Sequence, residues 1–256
     1  MYSIAMIDQF LSEKAPHELS ESWDNDGVMV CGDKSKQVKK LLVCLELTEN
    51  ALDYAVKEGF DLVVTHHPYI FKKLSRISGT RYANLEKMIK NGISVLSYHT
   101  RLDSADGGVN DALAQRLGLE NITSFGGETG NIGRIGELQE AKNAHDFALL
   151  LKEKLGCDIR CTMSENGSIK KVALVGGAGK DFIFEGFDMG ADAFVTSEVP
   201  HHIFIAAKEM DKSVYDCGHY YTENPVCEKL AQELCEKFPC LEIHTFDVKC
   251  PYTCIL

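Results

Sequence analysis

The chain has 256 residues, of which 45% are hydrophobic and 25% charged, and its 27 lysines and arginines against 38 aspartates and glutamates give a net charge of −11. These proportions are typical of a globular protein and exclude a disordered, collagen-like or coiled-coil chain. The acidic balance argues against sequence-independent binding to nucleic acid or to anionic lipid. The basic groups, which we interpret as solvated loop faces, are Lys34/Lys36/Lys39/Lys40 and Lys72/Lys73/Arg76/Arg81.

The N-terminal segment predicts an amphipathic helix, because Ile4, Ile7, Phe10 and Leu11 recur at helical spacing. The segment lacks the basic leader and continuous apolar core of a signal peptide. No apolar stretch approaches the roughly 18 residues of a membrane span. We therefore expect a soluble, cytoplasmic protein with no membrane partner.

The ten cysteines are expected to be reduced thiols, because the chain is long and shows no export signal. Two pairs, Cys157/Cys161 and Cys250/Cys254, have a C-x3-C spacing that matches neither zinc ribbons nor thioredoxin-like redox motifs. This spacing argues against a cysteine metal site.

After the N-terminal helix the chain predicts a β-α-β unit. An apolar strand over 41–45 is followed by a helix over about 48–58, with Gly59 as its terminator, and by a second apolar strand over 62–65. Continuous apolar runs rich in Val and Leu are typical of strands covered on both faces of a largely parallel sheet.

The second half repeats this pattern, with a strand over 172–175, a helix closed near Gly190 and a strand over 193–196. In both halves a later strand leads to a histidine and, four residues on, a carboxylate; His99 and His219 are 120 residues apart, as are Asp103 and Glu223. An amphipathic helix follows each element, over 109–117 and 225–234.

The repeat predicts an α/β fold of two similar three-layer halves, 1–125 and 126–256, with a metal site between them. The first half carries the HHP and HTRLD motifs and the second carries GHYYTE. The stretch 126–170 has no counterpart in the repeat, so we interpret it as the join plus extra edge elements.

Three groups of residues could bind metal. His66 and His67 follow an apolar strand and precede Pro68, which ends the strand, so both imidazoles can face one cleft; the alternative is a pair of exposed loop histidines. The other two groups are His99 with Asp103 and His219 with Glu223. Imidazoles and carboxylates without thiolates suit Zn, Fe, Mn, Co or Ni, and more than four such ligands favour two metals about 3.5–4 Å apart.

Other motifs leave alternatives open. Gly176–Asp181 fails the P-loop pattern and indicates a tight turn, with anion binding as the alternative. The segment Trp23–Gly27 is either an active-site loop or an Asx-type turn. His201 and His202 either support the site or begin a helix, and His145 and His244 receive no function.

Five sequence blocks, in chain order, are WDNDGVMVCG, VVTHHPYIF, SYHTRLDSADGGVNDALAQRLGL, GGAGKD and DCGHYYTE. From about Trp23 to Pro225, this set resembles the Nif-three-like dinuclear-metal-centre hexameric proteins, the family often labelled GTP cyclohydrolase I type 2 homologues. The resemblance implies two α/β domains, a homohexameric ring and metal sites facing an internal cavity.

The resemblance also implies ligand positions, which are His66, His67, Asp103, His219 and Glu223. Asp103 would bridge two divalent transition metal ions. His99 would contact the ligands without binding metal itself, or would shuttle a proton. One departure is Arg101, where relatives usually have a small polar residue such as Asn, which implies a different cavity charge.

Two hypotheses of function follow. The first is a dinuclear metal hydrolase in which a metal-bridging hydroxide attacks a small-molecule substrate: GTP, another nucleotide, a cyclic amide or a phosphoester. The second is a non-catalytic metal-binding or metal-delivery assembly that acts through protein partners. The charge of −11 disfavours a third, a nucleic-acid regulator.

Overall fold

The computed structural model describes residues 2–165 and 167–255, which form two compact units. Unit 1 comprises Met1–Leu102 and Cys227–Lys249, and unit 2 comprises Asp103–Val226 and Cys250–Leu256. The helices are α1 (Ile4–Lys14), α2 (Glu49–Glu58), α3 (Gly79–Asn91), α4 (Thr100–Ser104), α5 (Val109–Leu117), α6 (Ala144–Leu155), α7 (Ile183–Asp188), α8 (His201–Glu209), α9 (His219–Glu223) and α10 (Pro225–Lys237). Short 3-10 helices span His17–Leu19 and Lys180–Phe182.

The strands are β1 (Tyr2–Ser3), β2 (Gly27–Val30), β3 (Gln37–Val38), β4 (Lys40–Cys44), β5 (Leu62–Thr65), β6 (Ser94–Ser97), β7 (Glu120–Phe125), β8 (Gly133–Asn143), β9 (Arg160–Thr162), β10 (Ser168–Leu174), β11 (Ala193–Thr196), β12 (Ser213–Asp216) and β13 (Glu242–Thr245). Together with the helices they confirm the α/β class. None of the helices in the described part of the chain is both long and apolar enough to cross a bilayer. The ten cysteines all lie in the described residues, and none of them forms a disulfide.

The main sheet of unit 1 has the order β13-β4-β5-β6-β2. Its first four strands are parallel and β2 is antiparallel to β6. The buried apolar runs of β4 and β5 explain this arrangement, because a strand that is apolar on both sides is most stable in a sheet whose two faces are covered. One face packs against α2 and α3. The predicted strand over 62–65 is confirmed.

Helix α2 forms where the sequence predicts it. The Thr48 hydroxyl caps its first turn by accepting from the Ala51 amide at 3.2 Å. Its buried residues, Ala51, Leu52 and Ala55, share one face. Gly59 ends the helix in the left-handed conformation, with φ of 73°. The predicted N-terminal helix is also present, as α1, and buries Ile4, Ile7 and Leu11.

The sheet of unit 2 has the order β7-β8-β10-β11-β12-β9, with a parallel core of β10, β11 and β12. Helices α5 and α6 cover one face and α7 and α8 cover the other, because alternate residues of the core strands point to opposite sides. The stretch 126–170 supplies the antiparallel strands β8 and β9. Strand β9 lies at an edge of the sheet, whereas β8 lies inside it between β7 and β10, so the expectation of extra edge elements is met by β9 alone.

The compact units are discontinuous in sequence. The chain changes from unit 1 to unit 2 between Leu102 and Asp103, inside α4, and most of α10 and all of β13 return to unit 1. Strand β13 pairs with β4 through Glu242 and Lys40, residues far apart in the chain. The predicted halves, 1–125 and 126–256, divide the chain by its sequence repeat, and that division stays a prediction. In each unit, three parallel strands that are consecutive in the chain, β4 to β6 and β10 to β12, precede a five-residue helix, α4 and α9 respectively.

Candidate functional site

Unit 1 brings three histidines together where two neighbouring parallel strands end. His66 and His67 follow β5, and His99 follows β6 after Tyr98. The ring centroids lie 5.0 to 5.8 Å apart, and one nitrogen from each ring lies within 4.8 Å of the others. His66 is only 2% exposed, so the alternative of two exposed loop histidines is wrong. We call these three residues the histidine cluster.

The chain bends after β5, which explains how successive residues share this cluster. The His67 amide donates to the Leu45 carbonyl at 2.8 Å, and the Thr65 hydroxyl donates to the His67 carbonyl at 2.8 Å. These bonds turn the backbone away from ideal strand geometry, in which adjacent side chains would point to opposite faces.

Each ring of the histidine cluster points its Nδ1 at an oxygen. The contacts are His66 Nδ1 to the Tyr98 carbonyl at 3.0 Å, His67 Nδ1 to Glu46 Oε2 at 2.7 Å, and His99 Nδ1 to Asp24 Oδ1 at 2.8 Å. A carbonyl or ionised carboxylate oxygen only accepts, so in the neutral ring Nδ1 carries the proton and Nε2 carries the lone pair. This arrangement is typical of metal-ligating histidines, whose second nitrogen is fixed by a carboxylate or carbonyl.

Asp24 links the Trp23–Gly27 segment to the cluster. Its Oδ2 accepts from the Thr100 amide at 3.0 Å and from the Thr100 hydroxyl at 2.6 Å, while Oδ1 accepts from His99. Burial by itself would raise the pKa of Asp24, but the hydrogen bonds and charge of His99, with the bonds from Thr100, outweigh it and hold the pKa well below its usual range. Asn25 N also donates to Asp24 Oδ1 at 2.7 Å, a bond between adjacent residues and not the i to i+2 bond of an Asx turn. The interpretation of this segment as an active-site loop stays a prediction.

Unit 2 contains a histidine–carboxylate pair on α9. His219 begins this helix and Glu223 ends it, so the i, i+4 spacing places them on one face, with His219 Nε2 2.9 Å from Glu223 Oε2. His219 Nδ1 lies 2.8 Å from Glu198 Oε1. Glu198 has a φ of 55°, which is uncommon outside glycine and marks a locally strained backbone beside the pair.

The glycine-rich turn after β10 makes room for Glu223. A Cβ on Gly177, whose φ is +64°, would lie 2.1 Å from Glu223 Oε1 and 3.0 Å from His219 Nε2. The amides of the turn bond within the protein: Gly176 N donates to Asn110 Oδ1 at 2.7 Å and Gly177 N to Thr222 Oγ1 at 3.0 Å. These contacts support the tight-turn interpretation of Gly176–Asp181 over anion binding.

The remaining predicted residues have distinct places. Asp103 lies in α4, is 8% exposed, and its carbonyl accepts from Asn110 Nδ2 at 3.3 Å. His201 and His202 are exposed at the start of α8, which agrees with a helix-start role. His145 is exposed on α6, and His244 on β13 contacts Glu242 at 3.0 Å.

Arg101 is buried rather than presented to solvent. It is 4% exposed, its Nε lies 3.1 Å from Asp26 Oδ2, and its guanidinium stacks 4.0 Å from the centre of the Tyr98 ring. Asp26 balances the positive charge of Arg101, so the arginine does not by itself produce the different cavity charge that the sequence predicts.

Sequence reasoning missed the carboxylates that orient His67 and His219. Glu46 and Glu198 each lie two residues beyond the end of a strand, β4 and β11 respectively. His67 occupies the same position after β5. In α/β sheets, functional residues follow the carboxyl ends of parallel strands. Applied to every parallel strand, this rule would have selected both glutamates.

Comparison with known proteins finds similar sequences and structures. The profile of the Duf34/NIF3 (NGG1p interacting factor 3) family matches residues 2–251. A GTP cyclohydrolase 1 type 2 homolog from Clostridium perfringens is 35% identical over 239 residues, which cover 90% of each chain.

Solved structures give the same result. The Staphylococcus aureus protein SA1388 superposes with a TM-score of 0.92 and 25% identity, covering 99% of each chain. Reduced HcgD from Methanocaldococcus jannaschii has a TM-score of 0.85 and 29% identity, covering 95% of this chain and 97% of its own.

Proposed function

This chain belongs to the Duf34/NIF3 family, and we propose that it is a metal-dependent hydrolase that binds two divalent transition metal ions. The proposed ligands are His66, His67 and Asp103 together with the His219–Glu223 pair, with Asp103 as the bridge.

One observation carries the proposal: the four histidines at the strand ends share one orientation. In each of His66, His67, His99 and His219, Nδ1 faces a carbonyl or carboxylate oxygen. In His66, His67 and His99 this contact makes Nε2 the nitrogen with the lone pair. In His219, Nε2 also lies beside a carboxylate, 2.9 Å from Glu223 Oε2. Neutral imidazoles held in this way, with carboxylates beside them, fit Zn, Fe, Mn, Co or Ni better than Ca or Mg.

The protein's own groups would orient the ligands and move protons. Glu46 holds the His67 ring and Glu198 holds the His219 ring. His99 would take a proton on Nε2, and the buried Asp24 carboxylate would stabilise the resulting imidazolium through Nδ1. A pair of divalent metals supplies Lewis-acid polarisation and makes water a nucleophile at neutral pH.

The first test is metal content per chain, measured by mass spectrometry of the metal on protein purified without chelator. We expect about two metals per wild-type chain and a loss in His219→Ala, while His145→Ala, an exposed histidine on α6, keeps the wild-type content. A melting curve for each variant separates metal loss from unfolding. Equal metal content in His219→Ala and His145→Ala would contradict the proposed ligand set.

The second test is turnover of GTP, other nucleotides, phosphoesters and cyclic amides by the metal-loaded protein. We expect hydrolysis that falls in His99→Gln without loss of metal, because that variant removes the proton acceptor but no proposed ligand. Loss of metal in His99→Gln would instead make His99 a ligand. Stoichiometric metal with no turnover would reject the hydrolase and favour a metal-delivery assembly.

We also propose that the chain forms a homohexameric ring, which the sequence blocks shared with the family support. Light scattering on the purified protein should then give six chains of 28.4 kDa each. A monomeric mass at micromolar concentration would contradict this assembly.

A further inference from the structure

Two exposed aromatic rings stand beside His99 in unit 1. Trp23 is 59% exposed and Phe71 is 45% exposed. The ring centroids of Trp23 and Phe71 lie 6.1 Å apart. The centroid of the His99 ring lies 6.1 Å from that of Trp23 and 6.0 Å from that of Phe71. Single exposed apolar residues are common, but two large rings that meet each other and a functional histidine indicate a recognition surface. We call Trp23 and Phe71 the aromatic pair.

The backbone that carries the aromatic pair is held by polar contacts. The Asn25 side-chain amide donates to the Ile70 carbonyl, which joins the loop of Trp23 to the loop of Phe71. Next to Trp23, Asp24 bonds to His99 and Thr100. The exposure of the rings is therefore a fixed feature of the surface, and ligand binding there would require little ordering of the chain.

The segment that contains Phe71, residues 68–78, is basic, although the protein as a whole is acidic. We call it the basic segment. Residues 68–78 contain Lys72, Lys73 and Arg76 and no acidic residue, whereas the whole chain has a net charge of −11. All three side chains are exposed. An anionic group beside the aromatic pair would meet this local positive charge instead of the repulsion expected over most of the surface.

We propose that the aromatic pair and the basic segment bind a small molecule that has a planar aromatic ring and a negatively charged substituent. The interplanar angle of Trp23 and Phe71 is 64°, so a flat ring stacked on one of them presents its edge to the other. Lys72, Lys73 and Arg76 contact the anionic substituent. This inference rests on the proposed function, because it assigns the substrate class of the site that contains His99.

Trp23 is the chain's one tryptophan, so its fluorescence reports directly on the proposed surface. The experiment titrates the full chain, with and without chelator, with adenosine 5′-monophosphate as the probe and with adenosine and ribose 5-phosphate as its two halves. We expect quenching by the monophosphate, weaker binding of adenosine, and no quenching by ribose 5-phosphate. Raising the salt concentration should weaken the binding of the monophosphate more than the binding of adenosine.

Variants separate stacking from charge. Phe71→Leu should weaken monophosphate binding about tenfold, within the range of ring stacking, whereas Phe184→Leu, a partly exposed ring on α7 in unit 2, should leave it unchanged. The double variant Lys72→Ala/Lys73→Ala should remove the preference for the monophosphate over adenosine.

Quenching by ribose 5-phosphate, or equal affinities in Phe71→Leu and Phe184→Leu, would overturn the proposal. So would a tryptophan emission that shifts with protein concentration alongside an increase in mass, since that result would place a second copy of the chain on Trp23. The readout needs neither metal nor turnover, so it can fail while the metal-content test succeeds, and the reverse.

Discussion

Replacing Gly177 with alanine tests whether the glycine turn makes room for Glu223. The added Cβ would lie 2.1 Å from Glu223 Oε1, whereas ordinary contact begins at 3.4 Å, so the carboxylate must move away. Metal–ligand distances tolerate only about 0.2 Å. We therefore expect Gly177→Ala to lose at least about tenfold in metal affinity, a loss comparable to that from disrupting the groups that orient a ligand.

The backbone cost of this substitution can be measured separately. Gly177 has a φ of +64°, and a non-glycine residue in this conformation costs about 1–2 kcal/mol. Gly156, at the end of α6, has a φ of +69° and nothing within 4 Å of an added Cβ. Gly156→Ala is thus a matched control that carries the same backbone strain and no contact with Glu223.

The assay compares melting temperature and metal content in the two variants. In the metal-free form both should melt roughly 2–8 °C below wild type, from about 2–4 °C per kcal/mol for a chain of this size. In the metal-loaded form only Gly177→Ala should release metal. Wild-type metal affinity in Gly177→Ala would refute the reasoning, because Glu223 could then move without consequence for the metal.

Two further predictions concern stability. Asp61 accepts from the Lys39 and Lys40 amides and pairs with Lys36 at 3.2 Å; burial opposes these bonds, but they hold its pKa below the usual value. The ionised Asp61 should therefore stabilise the fold above about pH 4, the pKa of an aspartate in the unfolded chain, and this stabilisation should fade at lower pH. The denaturant midpoints of wild type and Asp61→Asn should then converge on acidification. A difference in midpoint that persists at pH 2 would contradict this. Thr48→Ala should destabilise unit 1 by about 1 kcal/mol by removing the cap of α2, whereas Thr48→Ser should retain the cap and show little change in urea midpoint; equal losses in both variants would exclude capping as the cause.

The sequence by itself determined the local elements and the types of residue in the candidate site. Continuous apolar runs defined β5 and β11 at their observed bounds, because a strand buried on both faces needs apolar residues at every position. The four-residue spacing of His219 and Glu223 placed them on one face of α9, because a helix repeats every 3.6 residues. These features depend on neighbours close in the chain.

Only the tertiary structure decided which distant residues meet. Strand β13 pairs with β4, and no local pattern in either segment selects its partner. The orientation of His67 by Glu46 and of His219 by Glu198 depends on which strands are neighbours in a sheet. The burial of Arg101 against Asp26 follows from the same cause. Periodicity records which face of an element is buried, but the partner on that face is set by strand order and packing, which local sequence does not encode.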